Sequence, residues 1–452
     1  MIWCEVLLTL LRELVRAATV PFRLLGYLPF RHHWRRRAER ALAAAAGAAP
    51  EVPEQALADF LAQQKVRRPR PHGDRPHLFV SAGEASGEAH AARLVAALAG
   101  ELRVTAFGGH QLADAGATLR FALSDHAVMG VVGVLRQLPL ILRAVADFLR
   151  LLRDDRPDLI VLVDYPGLHV VLAKLARRRG IPVLHYVAPQ YWAWGPWRMR
   201  RYRRAVDATL TILPFETTFF RDFHVAAAYI GHPLLDELAA APPDPGAVAA
   251  VAARRTLVLL PGSRRAEIDG NLPGMLRVAA ALRAREPSLR IVVPHKNPRR
   301  SDTIRQLLRQ HGAADVEHVV GPLSPWLAGA RLVLVKSGTG SLEACLHETP
   351  TIVVYQLRSW LASLGYHNIL SVPWIAAANL IAGRRVVPEH CFHGDAGWAR
   401  VTADAERLWF ADADRAAMLQ DLAEVRRRLG APGATARTAR IVRRCFDLPD
   451  PA

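Results

Sequence analysis

His77-Leu78-Phe79-Val80-Ser81-Ala82-Gly83-Glu84-Ala85-Ser86-Gly87-Glu88 opens the body of the chain. A short apolar run comes first, then a turn with two glycines, then a helical pattern through Leu98. Strand, glycine-rich turn and helix begin a Rossmann-like unit, whose turn brings backbone N–H groups close to a ligand. Further apolar runs at Leu159–Val163, Val183–Tyr186 and Leu210–Leu213 alternate with helical patterns. Runs of this kind predict parallel strands covered by helices on both faces. Pro242-Pro243-Asp244-Pro245-Gly246 punctuates the chain, and the pattern then restarts. Thr256–Leu260 reads as a strand, Pro261-Gly262-Ser263-Arg264 as a loop, and a helix is expected from about Leu272. Ile291–Val293, Leu332–Val335 and Thr351–Tyr355 continue the series. The expected fold class is therefore α/β, with two Rossmann-like domains, residues 76–245 and 246–452, facing a cleft. Ligands of open α/β sheets bind beyond the carboxyl ends of the strands, where these loops lie.

The chain has 452 residues, enough for two substantial domains and an appendage. Hydrophobic residues make up 51% and charged residues 22%, which excludes a mainly disordered chain. The formal net charge of +18 suits an anionic partner but does not choose among nucleic acid, acidic membrane and phosphorylated substrates. Cys4, Cys345, Cys391 and Cys445 lie far apart without a C-x-x-C pair, which argues against a zinc site or a disulfide scaffold.

Residues 1–75 read as an amphipathic and basic extension with a linker. Glu5, Thr9, Arg12 and Arg16 share one helical face, opposite Trp3, Val6, Leu7, Leu10, Leu11 and Leu14. The charges interrupting this run, and Pro21 after it, exclude a spanning helix or a secretory signal. With the basic cluster Arg31-His32-His33-Trp34-Arg35-Arg36-Arg37, the pattern suits a helix lying in a membrane interface or one packed on the protein's own body. Residues 41–75, ending in Arg67-Arg68-Pro69-Arg70-Pro71, read as a linker.

Several strand-end loops carry polar residues. Asp164 follows Leu159–Val163 and suits a general base towards a bound hydroxyl, or a turn acid. His185, Tyr186, Gln190, Tyr191, Trp192 and Trp194 cluster in one segment that suits a sugar or acyl surface, or ordinary packing. In Pro261-Gly262-Ser263-Arg264, Gly262 permits close backbone approach and Arg264 offers a forked donor set for a diphosphate. In Lys336-Ser337-Gly338-Thr339-Gly340-Ser341-Leu342-Glu343, small residues open a helix whose N–H groups suit phosphate, and Glu343 suits ribose hydroxyls. No P-loop string, no G-x-G-x-x-G after the first strand and no metal-ligand spacing occur, so neither cofactor nor metal is expected.

The order of these strings resembles the lipid-A-disaccharide synthase family, inverting glycosyltransferases of family 19 with the GT-B architecture. The matching strings are Ser81-Ala82-Gly83-Glu84-Ala85-Ser86-Gly87, Val128-Met129-Gly130, Val163-Asp164 with Pro166, and His185-Tyr186-Val187 with Pro189 and Trp192-Ala193-Trp194. They continue with Leu213-Pro214-Phe215-Glu216, Gly231-His232-Pro233, Leu260-Pro261-Gly262-Ser263-Arg264 with Glu267, Ser337-Gly338-Thr339 with Leu342-Glu343, and Asn379-Leu380-Ile381-Ala382-Gly383 with Pro388-Glu389. The resemblance spans roughly residues 77–445 and implies transfer of the sugar of UDP-2,3-diacylglucosamine to the 6-hydroxyl of 2,3-diacylglucosamine 1-phosphate. The products would be a β-1,6 disaccharide and UDP. It implies catalytic roles for Asp164, Glu84 and Arg264, and substrate binding by Gly262, Ser263, Ser337, Gly338, Thr339, Glu343, Asn379 and His185. Residues 76–245 would be the acceptor domain and 246–452 the UDP-sugar domain with closing helices. The implied partners are the UDP-sugar donor and the acylated sugar phosphate, to which the N-terminal stripe and basic cluster add an anionic membrane surface, with a homodimer left open and no nucleic acid expected. The implied location is cytoplasmic, peripheral on the inner face of the cytoplasmic membrane.

The chain departs from the family pattern at several positions. Glu88 stands for an Asp; Gly167 and His169 stand where a second Asp and an Asn are usual. Gly133 replaces a Glu, Gln190 a Ser, Lys336 a small residue and Gln356 a basic one. These departures keep open a non-catalytic relative that binds nucleotide sugar or lipid, and a transferase with another lipid acceptor.

Overall fold

The computed structural model describes residues 2–48, 51–63, 69, 75–123, 138–357 and 359–450. Val128-Met129-Gly130, Gly133 and all of Arg67–Pro71 except Pro69 lie outside the described residues. Two compact units form: Met1–Ala44 with Glu51–Asp236 and Gly430–Ala452, and Ala45–Pro50 with Glu237–Leu429.

The first unit holds a parallel sheet of β1 (His77–Ala82), β2 (Arg103–Gly108), β3 (Thr118–Ala122), β4 (Leu159–Val163), β5 (Val183–Tyr186), β6 (Ala208–Thr211) and β7 (Ala226–Tyr229). Its order is β3-β2-β1-β4-β5-β6-β7, with Val80 opposite Val161 and Ala82 opposite Val163. β1 and β4 are buried along their whole length, which is why they read as unbroken apolar runs. The direction of winding reverses between β1 and β4, so the crevice at their carboxyl ends is this sheet's switch point. The loops that follow carry Glu84 and Asp164 respectively.

The second unit repeats the plan. β8 (Thr256–Leu260), β9 (Arg290–His295), β10 (Glu317–Val320), β11 (Leu332–Lys336), β12 (Thr351–Leu357) and β13 (Glu389–His393) run parallel in the order β10-β9-β8-β11-β12-β13. Here the reversal falls between β8 and β11, paired with Leu260 opposite Val335. The loops that follow them are Pro261–Arg264 and Ser337–Gly338. Both pairs of polar loops therefore stand at switch points.

Four features correct the sequence reading. The chain passes between units at Asp236–Glu237, before the proline-rich punctuation, and its last segment belongs to the first unit rather than to the second. The helix Ala434–Cys445 puts Ala434, Ala439, Ile441 and Val442 into the first unit's core, and Asp236 caps it by accepting from the N–H groups of Gly433, Ala434 and Thr435 at 2.6–3.1 Å. Within the supposed linker, the helix Pro53–Ala62 buries Leu57 and Phe60 in that same core. The helix expected from Leu272 spans Arg265–Arg285, because the Glu267 carboxylate accepts from the N–H groups of Ser263 and Arg264 and starts it earlier.

The N-terminal helices also pack on the first unit. In the helix Ile2–Ala18, Val6 is buried, Glu5 pairs with Arg179 at 2.8 Å and Glu13 with Arg201 at 2.9 Å. Those acids hold a charged face against the body. Exposed beside Arg12 and Arg23 are large apolar residues, Trp3, Leu7, Leu11 and Leu14 here and Phe22, Leu25 and Phe30 just after, each about half exposed or more.

Candidate active site

In the first unit, β4 ends and the chain turns sharply: Asp164 and Tyr165 adopt φ of 52° and 46°, a left-handed conformation that L residues avoid. The Tyr165 ring lies where a Cβ on Gly83 would stand, so only glycine fits that first loop. The Asp164 carboxyl is pushed up to about 6, first by burial and then by the negative charge of Glu84, against one backbone hydrogen bond. Glu84 stands half-buried just before the helix Ala85–Ala97. A carboxyl of that proton affinity suits a general base near neutral pH.

His185, expected to touch substrate, does not reach the surface. It is fully buried and its Nε2–H donates to the backbone carbonyl of Asp164 at 2.9 Å. His169 is buried beside it and donates from Nδ1 to the same carbonyl at 2.7 Å. Trp192 is buried too, its Nε1–H bonded to Glu216 at 2.9 Å. Glu216 also accepts from the N–H groups of Ile212 and Leu213, and burial pushes its carboxyl up to about 7. The two imidazoles build the floor under the Asp164 peptide.

In the second unit, one carboxylate organises the anion loops. Glu267 holds the Ser263 and Arg264 N–H groups at 3.0 and 3.3 Å through Oε2. Its Oε1 lies 3.0 Å from the Lys336 ammonium and 3.5 Å from the Arg264 guanidinium. Burial would raise the Glu267 carboxyl, but Lys336 and these donors together hold it below its usual range. Gly262 has φ of 125°, and a Cβ there would stand 2.5 Å from Glu267 Cβ. The Asn271 amide ties the Pro261 carbonyl to the following helix at 3.1 Å. Ser337 donates its N–H to Val354, Gly338 and Thr339 are exposed, and the helix Thr339–Leu346 follows. Glu343 is buried in that helix with both oxygens 3.2 Å from the Lys296 ammonium.

Asn379, expected to bind substrate, is fully buried with its amide satisfied internally. Nδ2 donates to the Val387 carbonyl and to Glu389, and Oδ1 accepts from the N–H groups of Val386 and Val387. It shapes the chain after the helix Ala377–Ala382. The structure thus gathers Glu84 with Asp164 in one unit, and Gly262, Ser263 and Arg264 with Lys336 in the other. Sequence reasoning gave no role to Glu267, Lys296 or His169. Glu267 carried a signal, an acid three residues after the presumed N-cap; Lys296 carried none beyond its place after a strand. Among the described residues, no group of three or more His, Cys, Asp or Glu side chains is placed to hold a metal ion.

Two Rossmann-like sheets with polar loops at both switch points are the GT-B architecture, shared by glycosyltransferases and nucleotide-sugar epimerases. Among solved structures, the Staphylococcus aureus MnaA–UDP co-structure matches with a TM-score of 0.56 at 14% identity, covering 83% of this chain and 99% of the other. A UDP-glucosyltransferase from Polygonum tinctorium matches with a TM-score of 0.52 at 14% identity, covering 83% and 100%. The sequence model of lipid-A-disaccharide synthetase matches residues 78–438. The lipid-A-disaccharide synthase of Myxococcus xanthus is 38% identical over 381 residues, 81% of this chain and 97% of that one. That of Acidobacterium capsulatum is 36% identical over 398 residues, 82% and 96% of the two chains. The chain belongs to the lipid-A-disaccharide synthase family and is a hexosyltransferase.

Proposed function

We propose that the chain transfers the sugar of UDP-2,3-diacylglucosamine to the 6-hydroxyl of 2,3-diacylglucosamine 1-phosphate, with inversion, releasing UDP. The observation that carries this reading is the Asp164 carboxyl, raised to about 6 at the switch point of the first sheet. It takes the proton of the acceptor hydroxyl as that oxygen attacks the anomeric carbon. Glu84 does not attack; its charge keeps the Asp164 proton affinity high. In the second unit, the Arg264 guanidinium, the Lys336 ammonium and the N–H groups of Gly338 and Thr339 stabilise charge growing on the leaving diphosphate. Glu343 accepts from the ribose hydroxyls, which displace Lys296. Incubation of the purified protein with both acylated sugars tests the reading: the expected result is disaccharide and UDP in equal amounts. UDP binding without product identifies the non-catalytic relative instead.

We also propose that the N-terminal helices hold the protein peripherally on an anionic membrane face, on the cytoplasmic side, where acylated substrates reside. The exposed Trp3, Leu7, Leu11, Phe22, Leu25 and Phe30, with the basic cluster from Arg31, support this. Among the described residues, no helix is long and apolar enough to cross a membrane.

A further inference from the structure

Asp164 is held by its backbone more tightly than by its side chain. Its N–H donates to the Tyr186 carbonyl at 3.0 Å. Its own carbonyl receives two imidazoles, Nδ1 of His169 at 2.7 Å and Nε2 of His185 at 2.9 Å. Both rings are completely shielded from solvent, and burial keeps both neutral, His169 down to about 3 and His185 to about 4. A neutral imidazole carries one N–H, and a carbonyl can only accept. The proton therefore sits on Nδ1 of His169 and on Nε2 of His185. That leaves Nε2 of His169 as an acceptor, and its partner is the Ser81 hydroxyl at 2.9 Å, which must donate. Ser81 lies on β1 and is buried. A relay of two side chains, Ser81 and His169, thus runs from the first strand to the peptide that follows the fourth, and His185 meets the same carbonyl from the fifth.

We infer that His169 is a positioning residue for Asp164: with His185 it clamps the Asp164 carbonyl, while Ser81 selects the tautomer that can donate. The clamp stabilises the left-handed turn at Asp164–Tyr165 and so fixes where the carboxylate stands. This inference rests on the reading of Asp164 as the base. It also accounts for one departure from the family pattern, since an Asn at position 169 has an amide N–H able to make the same bond to the carbonyl.

The test is a double-mutant cycle in the full-length protein, using the two acylated substrates. His169→Leu removes the donor at similar bulk and should lower kcat by roughly 10–100-fold with KM for both substrates and UDP affinity near wild type. His169→Asn restores the donor and should keep kcat within about threefold. Ser81→Ala leaves the ring in place but frees its tautomer, and should give a smaller fall in kcat. In the Asp164→Asn background, His169→Leu and Ser81→Ala should cost nothing more, because the clamp acts only through Asp164. Wild-type kcat in His169→Leu overturns the inference, as does an equal loss in both backgrounds. If His169→Leu does not fold, Ser81→Ala in the two backgrounds decides by the same criterion. Undiminished turnover in Asp164→Asn alone overturns the base assignment instead, so the two failures are told apart.

Discussion

Asp164→Asn should make the protein more stable while it destroys turnover, and the gain should depend on pH. In the folded chain the carboxyl titrates near 6, against an ordinary value of 3.8. Below pH 3.8 both folded and unfolded chains bind the proton, and the site costs nothing. As pH rises from about 4 to 6, the unfolded chain ionises first, so native stability falls across that window and stays low above it. A difference of about 2 in pKa corresponds to ~3 kcal/mol, which water at the partly open carboxyl reduces to roughly 1–3 kcal/mol. Asn keeps the shape of the side chain and removes the charge that burial and Glu84 oppose. Thermal unfolding followed by calorimetry at pH 4 and pH 7.5 measures the difference directly. A gain of ~1–3 kcal/mol at pH 7.5 corresponds to several degrees in Tm for a unit of this size. At pH 4 the variant and the wild type should melt within about a degree of each other. An equal gain at both pH values, or a loss at pH 7.5, refutes the claim that Asp164 is held as a costly buried carboxylate.

The same carboxyl sets an acid limb in turnover. kcat/KM should fall about ninefold between pH 7 and pH 5, since the ionised fraction drops from ~90% to ~10%; a flat profile over that range moves the base elsewhere. Arg264→Ala should weaken UDP binding about tenfold or more, because a charge-assisted contact to a diphosphate contributes ~1.5–3 kcal/mol; calorimetric titration with unchanged affinity removes Arg264 from the donor site. Asp236→Ala should lower stability by ~1–3 kcal/mol, since three N–H groups at the start of the helix Ala434–Cys445 lose their acceptor; an unchanged urea midpoint contradicts the capping account. Leu7→Glu with Leu11→Glu should cut co-sedimentation with anionic vesicles at least tenfold, each buried Leu contributing ~1.5–3 kcal/mol, without lowering Tm; equal sedimentation refutes the proposed membrane face.

What the sequence revealed and what it hid follow from where each signal is stored. Strands buried on both faces must be apolar throughout, so Leu159–Val163 and Thr256–Leu260 announce themselves locally. Loops at strand ends are equally local, and Asp164 and Arg264 were visible there. Helical periodicity, by contrast, divides a helix into two faces without saying which one packs. In Ile2–Ala18 the acids Glu5 and Glu13 turn inward beside Val6 while Arg12 stays exposed, because Arg179 and Arg201, far along the chain, answer the two acids. The return of the last helix to the first unit depends on Asp236, 197 residues before Gly433. His185 and Asn379 were recognised as positions but not as roles. Nothing in a string of letters distinguishes an imidazole that meets substrate from one fully buried under the loop that does.

The departures from the family pattern bear on whether the chain still works as a transferase. A lineage released from catalysis would lose matched interactions at random. Here three of the altered residues, His169, Lys336 and Glu88, are matched to partners, although Gln356 leaves its buried Oε1 unmet. His169, in place of an Asn, donates to the Asp164 carbonyl at 2.7 Å and accepts the Ser81 hydroxyl's hydrogen bond through its other nitrogen. Lys336, in place of a small residue, pairs with Glu267 at 3.0 Å and lies over the Tyr355 ring, bringing a second cation to the loop that holds Arg264. Glu88, in place of an Asp, is buried and accepts from the Gln111 N–H at 2.9 Å. Each of these three replacements completes a bond at a buried or half-buried position. An unmet buried polar group costs ~1–3 kcal/mol. Stability alone would be served as well by filling these sites with apolar side chains, and at Asp164 better. Retention of a carboxylate that destabilises its own fold, inside a shell of compensating partners, favours an active transferase over a non-catalytic relative.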